Sequence, residues 1–226
     1  MRNNKRIAVI AAHPDDEILG CGGTISRFAA EGSEVFILIL GQGVASRHTA
    51  GYAVSKKIAE LRRCGKRAAS RVKAKVIDFL DFPDNRFDTV SLLDIIKAVE
   101  MSLDAIKPDT VFTHSACDLN VDHQITAQAV ITATRPLSNT AVHNVYAFEV
   151  LSSSEWNFGR PFTPNVFIDI SSHIEAKKKA MAEYVSEIRK HPHPRSLKSI
   201  EALASYRGSQ AGFSYAEAFS LIRAIR

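Results

Sequence analysis

The sequence predicts an α/β fold, a mostly parallel sheet with helices on both faces. Short apolar runs rich in strand-forming residues alternate with segments of helical period. The first two runs, Ile7–Ala12 and Glu34–Leu40, are apolar almost throughout, as strands covered on both faces are. Alternation of this kind builds βαβ units. The 226 residues show no internal repeat, low-complexity tract or linker, so one domain is expected over 1–226.

Ile7–Ala12 is the first strand and Glu17–Glu31 the first helix. Glu34–Leu40 is a second buried strand, followed by a small-residue loop over Gly41–Gly51. Ala53–Arg71 reads as a long basic helix, Lys75–Leu80 as a third strand, and Leu92–Ile106 as a helix stopped before Pro108. Thr110–Thr113 is a short fourth strand, and Asp122–Thr134 a helix stopped before Pro136. Val142–Phe148 and Val166–Ile170 are strands, and Ser172–Lys190 a helix. His191-Pro-His-Pro-Arg195 must be a loop. Ser196–Tyr206 and Tyr215–Arg226 read as closing helices. The Lys177–Lys179 run and the basic face of Lys56–Arg71 read as solvated.

Bulk composition narrows the function classes. The apolar fraction is 46%, the charged fraction 23% and the net charge +5. That charge is too modest to mark a nucleic-acid binder, though it favours an anionic small molecule. The basic start precedes only six apolar residues, too few for a secretion signal. No run approaches the roughly 18 apolar residues of a membrane span. Three widely spaced cysteines without a CxxC argue against a disulfide framework and a thiolate metal site. A cytoplasmic protein is expected, with the oligomeric state open, a homo-oligomer included.

The stretch Ala11-Ala12-His13-Pro14-Asp15-Asp16-Glu17 sits where the first strand meets the first helix. In parallel sheets that carboxyl edge is where ligands bind. Three like charges crowded there repel one another, and a divalent cation neutralises them. The end of the fourth strand supplies a second acidic, histidine-bearing loop, His114-Ser-Ala-Cys-Asp118-Leu-Asn120-Val-Asp122-His123. A sheet order of 3-2-1-4 opens both loops onto one switch-point crevice. His13, His123 and one carboxylate then form the donor set of catalytic zinc, with positions left for water and substrate. Zinc lowers the pKa of water toward ~7, and a carboxylate off the metal can take the proton. Asp15 and Asp16 can divide these roles, and spacing leaves open which does which.

Ala-His-Pro-Asp-Asp-Glu with Leu19-Gly-Cys-Gly-Gly-Thr24, and the later Asp118-x-Asn-x-Asp-His123, resemble the PIG-L/LmbE-like deacetylases. The likeness runs on through Phe82-Pro-Asp84-Asn, Pro164-Asn-Val-Phe-Ile-Asp169, Pro194-Arg-Ser196 and Arg207-Gly to Tyr215-Ala-Glu-Ala-Phe219, nearly the whole chain. It implies a Rossmann-like domain with one zinc ion at the carboxyl edge of strands 1 and 4. It also implies zinc-dependent removal of an N-acetyl group from an amino sugar or its conjugate, nucleotide-linked carriers included. By resemblance the ligands are His13, Asp16 and His123, and the base is Asp15. Substrate contacts fall on Arg47 and Asp84. Many relatives carry His-x-Asp-His at the second motif, where the extra histidine helps the oxyanion. Here that position is Asn120, and His114 is a substitute if its loop folds back.

Other readings stand beside these. Asp15 can also cap the first helix, and Glu17 is a helix-start acid or an outer support. Gly20, Gly22 and Gly23 lack the dinucleotide fingerprint and read as close helix–sheet packing. Trp156 either stacks on a sugar ring or packs. Arg195 and Arg207 either bind a substrate phosphate or make local pairs. Two rivals to the deacetylase reading are a non-haem iron enzyme, which uses the same donor set, and a non-catalytic sugar-binding module with a vestigial metal site.

Overall fold

The structure, a computed structural model, describes residues 5–44, 52–137 and 142–226. Seven strands form one sheet in the order β3-β2-β1-β4-β5-β7-β6. The strands are β1 (Arg6–Ala11), β2 (Glu34–Gly41), β3 (Lys75–Phe82), β4 (Thr110–His114), β5 (Asn144–Phe148), β6 (Val166–Asp169) and β7 (Ala216–Ala224). The helices are α1 (Asp16–Ala30), α2 (Tyr52–Arg71), α3 (Leu92–Ile106), α4 (Val121–Ala133), α5 (Ile174–Ala182) and α6 (Leu197–Ser209). The first five strands run parallel. The expected order 3-2-1-4 holds, with β1 between β2 and β4.

The apolar run of β1 divides by the two-residue period of a strand. Ile7, Val9 and Ala11 pack with α1, α2, α5 and α6. Ala8, Ile10 and Ala12 pack with α3 and α4 on the opposite face. This two-sided cover makes the alternation of polar and apolar residues vanish from β1 and β2. Acidic Asp16 and Glu17 suit the positive N-terminus of α1. Gly32, at φ 95°, turns the chain toward β2.

Three expectations need correction. Tyr215–Arg226 is no helix, because Ala216–Ala224 forms β7, antiparallel to both β5 and β6. Its Ala, Glu, Leu and Arg content favours a helix, but two open strand edges each offer it a full hydrogen-bonded ladder, and tertiary pairing overrides propensity. The helix expected over Ser172–Lys190 stops at Ala182, and the turn beyond it drives Tyr184 into the core with no exposure. Lys177 is not solvated but 4% exposed. Its Nζ donates to Leu19 O at 2.7 Å and to Glu217 Oε1 at 2.5 Å. Glu217 in turn accepts the N–H groups of Gly23 and Thr24. This buried ion pair ties α5 and β7 to the middle of α1.

The glycines of α1 allow that approach, as the packing reading expects. A Cβ on Gly23 would stand 2.7 Å from Ile170 Cδ1, and one on Gly22 would stand 3.1 Å from Lys177 Cγ. Ile170 is fully buried, and three of its side-chain carbons would stand 2.7–2.9 Å from that Cβ, so the side chain or the helix must shift. Gly23→Ala is therefore expected to cost about 1–3 kcal/mol by overpacking, read as a lower urea midpoint. An unchanged midpoint would show that α1 and Ile170 separate freely.

Candidate metal centre

Two chain segments, of which Ala12 and His114 stand 102 residues apart, meet because β1 and β4 are neighbours. His13 follows β1, Asp15 takes the N-cap position of α1, and Asp16 opens its first turn. His114 ends β4, and His123 lies in the first turn of α4. Asn120 starts α4 by accepting the N–H groups of Asp122 and His123 on its side-chain oxygen, which aims that turn back toward β1.

His13, Asp16 and His123 are all buried, and their ligand atoms lie within 4.8 Å of one another. Asp16 Oδ2 is 3.3 Å from His13 Nδ1 and 3.1 Å from His123 Nε2. Ligands bound at ~2.0–2.1 Å around a tetrahedral ion stand about 3.3 Å apart. The two histidines therefore already stand at that spacing from Asp16, and nitrogen with carboxylate oxygen suits zinc, iron, cobalt or manganese.

Each histidine is backed by a further carboxylate. His13 Nε2 lies 2.9 Å from Asp122 Oδ2 and 3.4 Å from Asp84 Oδ1. His123 Nδ1 lies 3.1 Å from Asp118 Oδ1, an ion-pair contact rather than an aligned hydrogen bond. Asp122 is pinned by the backbone N–H groups of Asn85 and Phe87. Asp118 is pinned by the hydroxyls of Ser153 and Ser154 and by the N–H of Asn120. Such partners orient imidazoles and raise their basicity. His13, Asp84 and Asp122 also satisfy the spacing of a metal group, but the backbone donors on Asp122 fit an orienting carboxylate better.

The charges respond to this crowding. Burial alone would lower both imidazoles. Hydrogen bonds and charge from Asp122 and Asp16 instead raise His13 to about 10, and Asp16 with Asp118 raises His123 to about 9. Burial would push Asp16 up, but His123 and His13 hold it well below the usual carboxylate range. Asp118, also penalised by burial, is held at about 2, chiefly by His123. Burial pushes Asp15 well above the usual range, and Arg195 opposes this. Burial likewise lifts Glu17 to about 7 against the hydroxyl of Tyr184.

Asp15 does not use its carboxylate as a helix cap: its side chain accepts no helix N–H. Its Oδ2 meets Arg195 Nη1 at 3.1 Å, and the same nitrogen bonds Glu187 Oε2 at 3.0 Å. Arg195 Nε donates to Ser152 Oγ. A cleft beside the metal group is lined by Asp15, Asp84, Asn120 and Arg195, among others. His114 stays outside it. Fully buried, it accepts the Ala12 N–H on Nε2 at 2.8 Å and stacks on His123 with centroids 4.0 Å apart. Burial, with the charge of His123, holds it well below its usual pKa. His114 thus supports His123 and does not fold back to the place of the missing histidine.

Asn120 lines the cleft, with Nδ2 donating to Asn85 Oδ1 at 3.0 Å. Trp156, on a short turn over Ser154–Trp156, is 45% exposed and is not among the residues lining the cleft. Arg207 forms a two-pronged pair with Glu149, the local alternative to phosphate binding. Arg47 lies outside the described residues. Sequence reasoning missed Tyr184 and Glu187, which sit in a segment that reads as unbroken helix.

The PIG-L family profile, described as GlcNAc-PI de-N-acetylase, matches residues 8–134. A diacetylchitobiose deacetylase of Thermococcus kodakarensis is 27% identical over 232 residues, covering 98% of this chain and 84% of that protein. An N,N'-diacetylchitobiose deacetylase from Pyrococcus horikoshii superposes with TM-score 0.80 at 20% identity, over 98% of this chain and 85% of that one. GalB of Pseudomonas putida KT2440, a 4-carboxy-2-hydroxymuconate hydratase, superposes at 0.77 with 22% identity, over 98% of each. At these identities the superpositions speak for the fold alone. The family match takes in both metal-bearing loops and more than half the chain, so the chain belongs to the PIG-L family.

Proposed function

We propose that this chain is a metal-dependent hydrolase that removes the N-acetyl group of an amino sugar or amino-sugar conjugate, with zinc as its metal. The observation that carries this reading is the convergence of His13, Asp16 and His123 beside a buried Asp15 whose carboxylate caps no helix N–H. Family membership and the diacetylchitobiose deacetylase likeness name the bond and the substrate class.

His13, Asp16 and His123 would hold the ion, which when bound supplies Lewis acidity and lowers the pKa of water. Asp15 takes the proton of the attacking water and returns it to the departing nitrogen. Arg195 keeps the Asp15 carboxylate turned into the cleft. Asn120 offers its second amide hydrogen to the acyl oxygen as charge builds there. Asp84, which lines the cleft, is the contact for a sugar hydroxyl in this reading. Arg47 is a substrate contact by the family resemblance, and Trp156, off the cleft, offers a face on which a sugar ring could stack.

The test is release of free amine from N-acetylated sugars, with and without chelator, followed by zinc restoration. Amine release that stops with chelator and returns with zinc is expected. Release indifferent to chelator would overturn the metal-dependent reading. The hydratase of the same fold motivates one rival, addition of water across a carbon–carbon double bond. An unsaturated carboxylic acid in the same screen, hydrated while no sugar releases amine, would favour it.

The outer carboxylates yield a separate expectation. Asp118→Asn keeps the shape but removes the charge opposite His123. Zinc affinity should fall about 10–100-fold, measured by chelator competition. Parent affinity in this variant would remove Asp118 from the site.

A further inference from the structure

Asp15 holds a backbone conformation that aspartate rarely adopts, with φ 107° and ψ −28°. A non-glycine residue outside the favoured regions costs on the order of 1–3 kcal/mol and persists only where its surroundings impose it. Part of those surroundings is visible. The Asp15 N–H donates to Glu17 Oε2 at 3.0 Å, and the Tyr184 hydroxyl donates to Glu17 Oε1 at 2.6 Å. Glu17 is 1% exposed and Tyr184 is fully buried. A helix-start acid serving only the macrodipole would stay in water, because burying a carboxylate is unfavourable without partners. This one is buried with one donor on each oxygen.

Tyr184 reaches Glu17 across 167 residues from the turn after α5. Its hydroxyl lies so close to α2 that a Cβ on Gly65 would stand 3.0 Å from it. The anchor of Glu17 therefore belongs to the packed core, not to the loop it supports.

We infer that Glu17 and Tyr184 are positioning residues for the base: together they clamp the peptide of Asp15 and so aim its carboxylate at the cleft and Arg195. The inference rests on the reading of Asp15 as the base. It concerns neither metal ligation nor substrate contact, since neither residue lines the cleft.

The test compares Glu17→Met, Glu17→Gln and Tyr184→Phe in the metal-loaded full chain by crystal structure, metal content, kcat and KM. In Glu17→Met, Asp15 should leave φ near 107° and lose its 3.1 Å contact with Arg195. Its kcat should fall about 10–100-fold, the scale of a misplacement near 1 Å, with KM and metal content unchanged. Glu17→Gln keeps an acceptor for the Asp15 N–H and should restore most of the turnover. Tyr184→Phe should fall between them. An Asp15 unmoved in Glu17→Met overturns the inference, as does a loss of turnover that tracks loss of metal. Should Glu17→Met not fold, Tyr184→Phe decides: it removes a single oxygen, and parent kcat with Asp15 in place overturns the clamp. If the parent releases no amine from any N-acetyl sugar, the deacetylase reading fails, while the position of Asp15 in the variant structures still decides this one.

Discussion

Asp15→Asn is expected to lower kcat for amine release by about 10²–10⁴-fold, the span attributed to a general base, while the protein keeps its full complement of metal. Asparagine is the informative replacement. It tolerates a left-handed backbone as aspartate does, so the strain at φ 107° is not increased. Its side-chain oxygen can still accept from Arg195, which stands 3.1 Å from the native carboxylate. What asparagine cannot do is take a proton from water. Alanine would remove the proton acceptor and the Arg195 contact together, leaving the half-buried guanidinium with Glu187 and Ser152. Steady-state amine release and elemental analysis of the same sample give the two readouts. A kcat within tenfold of the parent would move the base elsewhere, and a metal-free variant would make Asp15 a ligand.

His13→Ala should fold and lose its metal, with affinity falling by more than about 100-fold, beyond the range for an outer partner. Asp122 would keep the N–H groups of Asn85 and Phe87 when the imidazole goes. His123→Ala would likewise leave Asp118 with the hydroxyls of Ser153 and Ser154 and the N–H of Asn120, and the same loss of metal is expected there. Metal content equal to the parent's after dialysis would refute the donor set.

The same pair predicts how affinity depends on pH. Without a cation, His13 and His123 keep their protons up to about 10 and about 9, above the ordinary imidazole value. A metal binds only the neutral ring, so binding near pH 7 expels a proton from each. Apparent affinity therefore rises with pH below about 9, by roughly tenfold per unit for each proton displaced. Competition against a chelator of known pH dependence at pH 6, 7 and 8 measures the slope. A flat profile would mean that one or both histidines are already neutral in the metal-free protein.

Much of this molecule is written locally. β1 and β2 were legible because both faces are covered, which leaves a continuous apolar run that only a buried strand of that length explains. The first metal loop was legible because five adjacent residues carry its chemistry, and the second because Asn120, Asp122 and His123 share one helix start. The switch-point argument joined the two loops because strand order around β1 follows a general rule of parallel sheets.

Tertiary structure decided the rest, wherever a role depends on a partner far along the chain. Tyr215–Arg226 has the composition of a helix, and only the open edges of β5 and β6 make it a strand. Lys177 reads as solvated until Glu217, 40 residues later, meets it beneath α1. Arg195 reaches Asp15 across 180 residues, and Tyr184 reaches Glu17 across 167. Local sequence encodes which groups can bind a cation or move a proton. It does not encode which distant side chains will hold those groups still, because those contacts exist only once the sheet and both helical layers have closed.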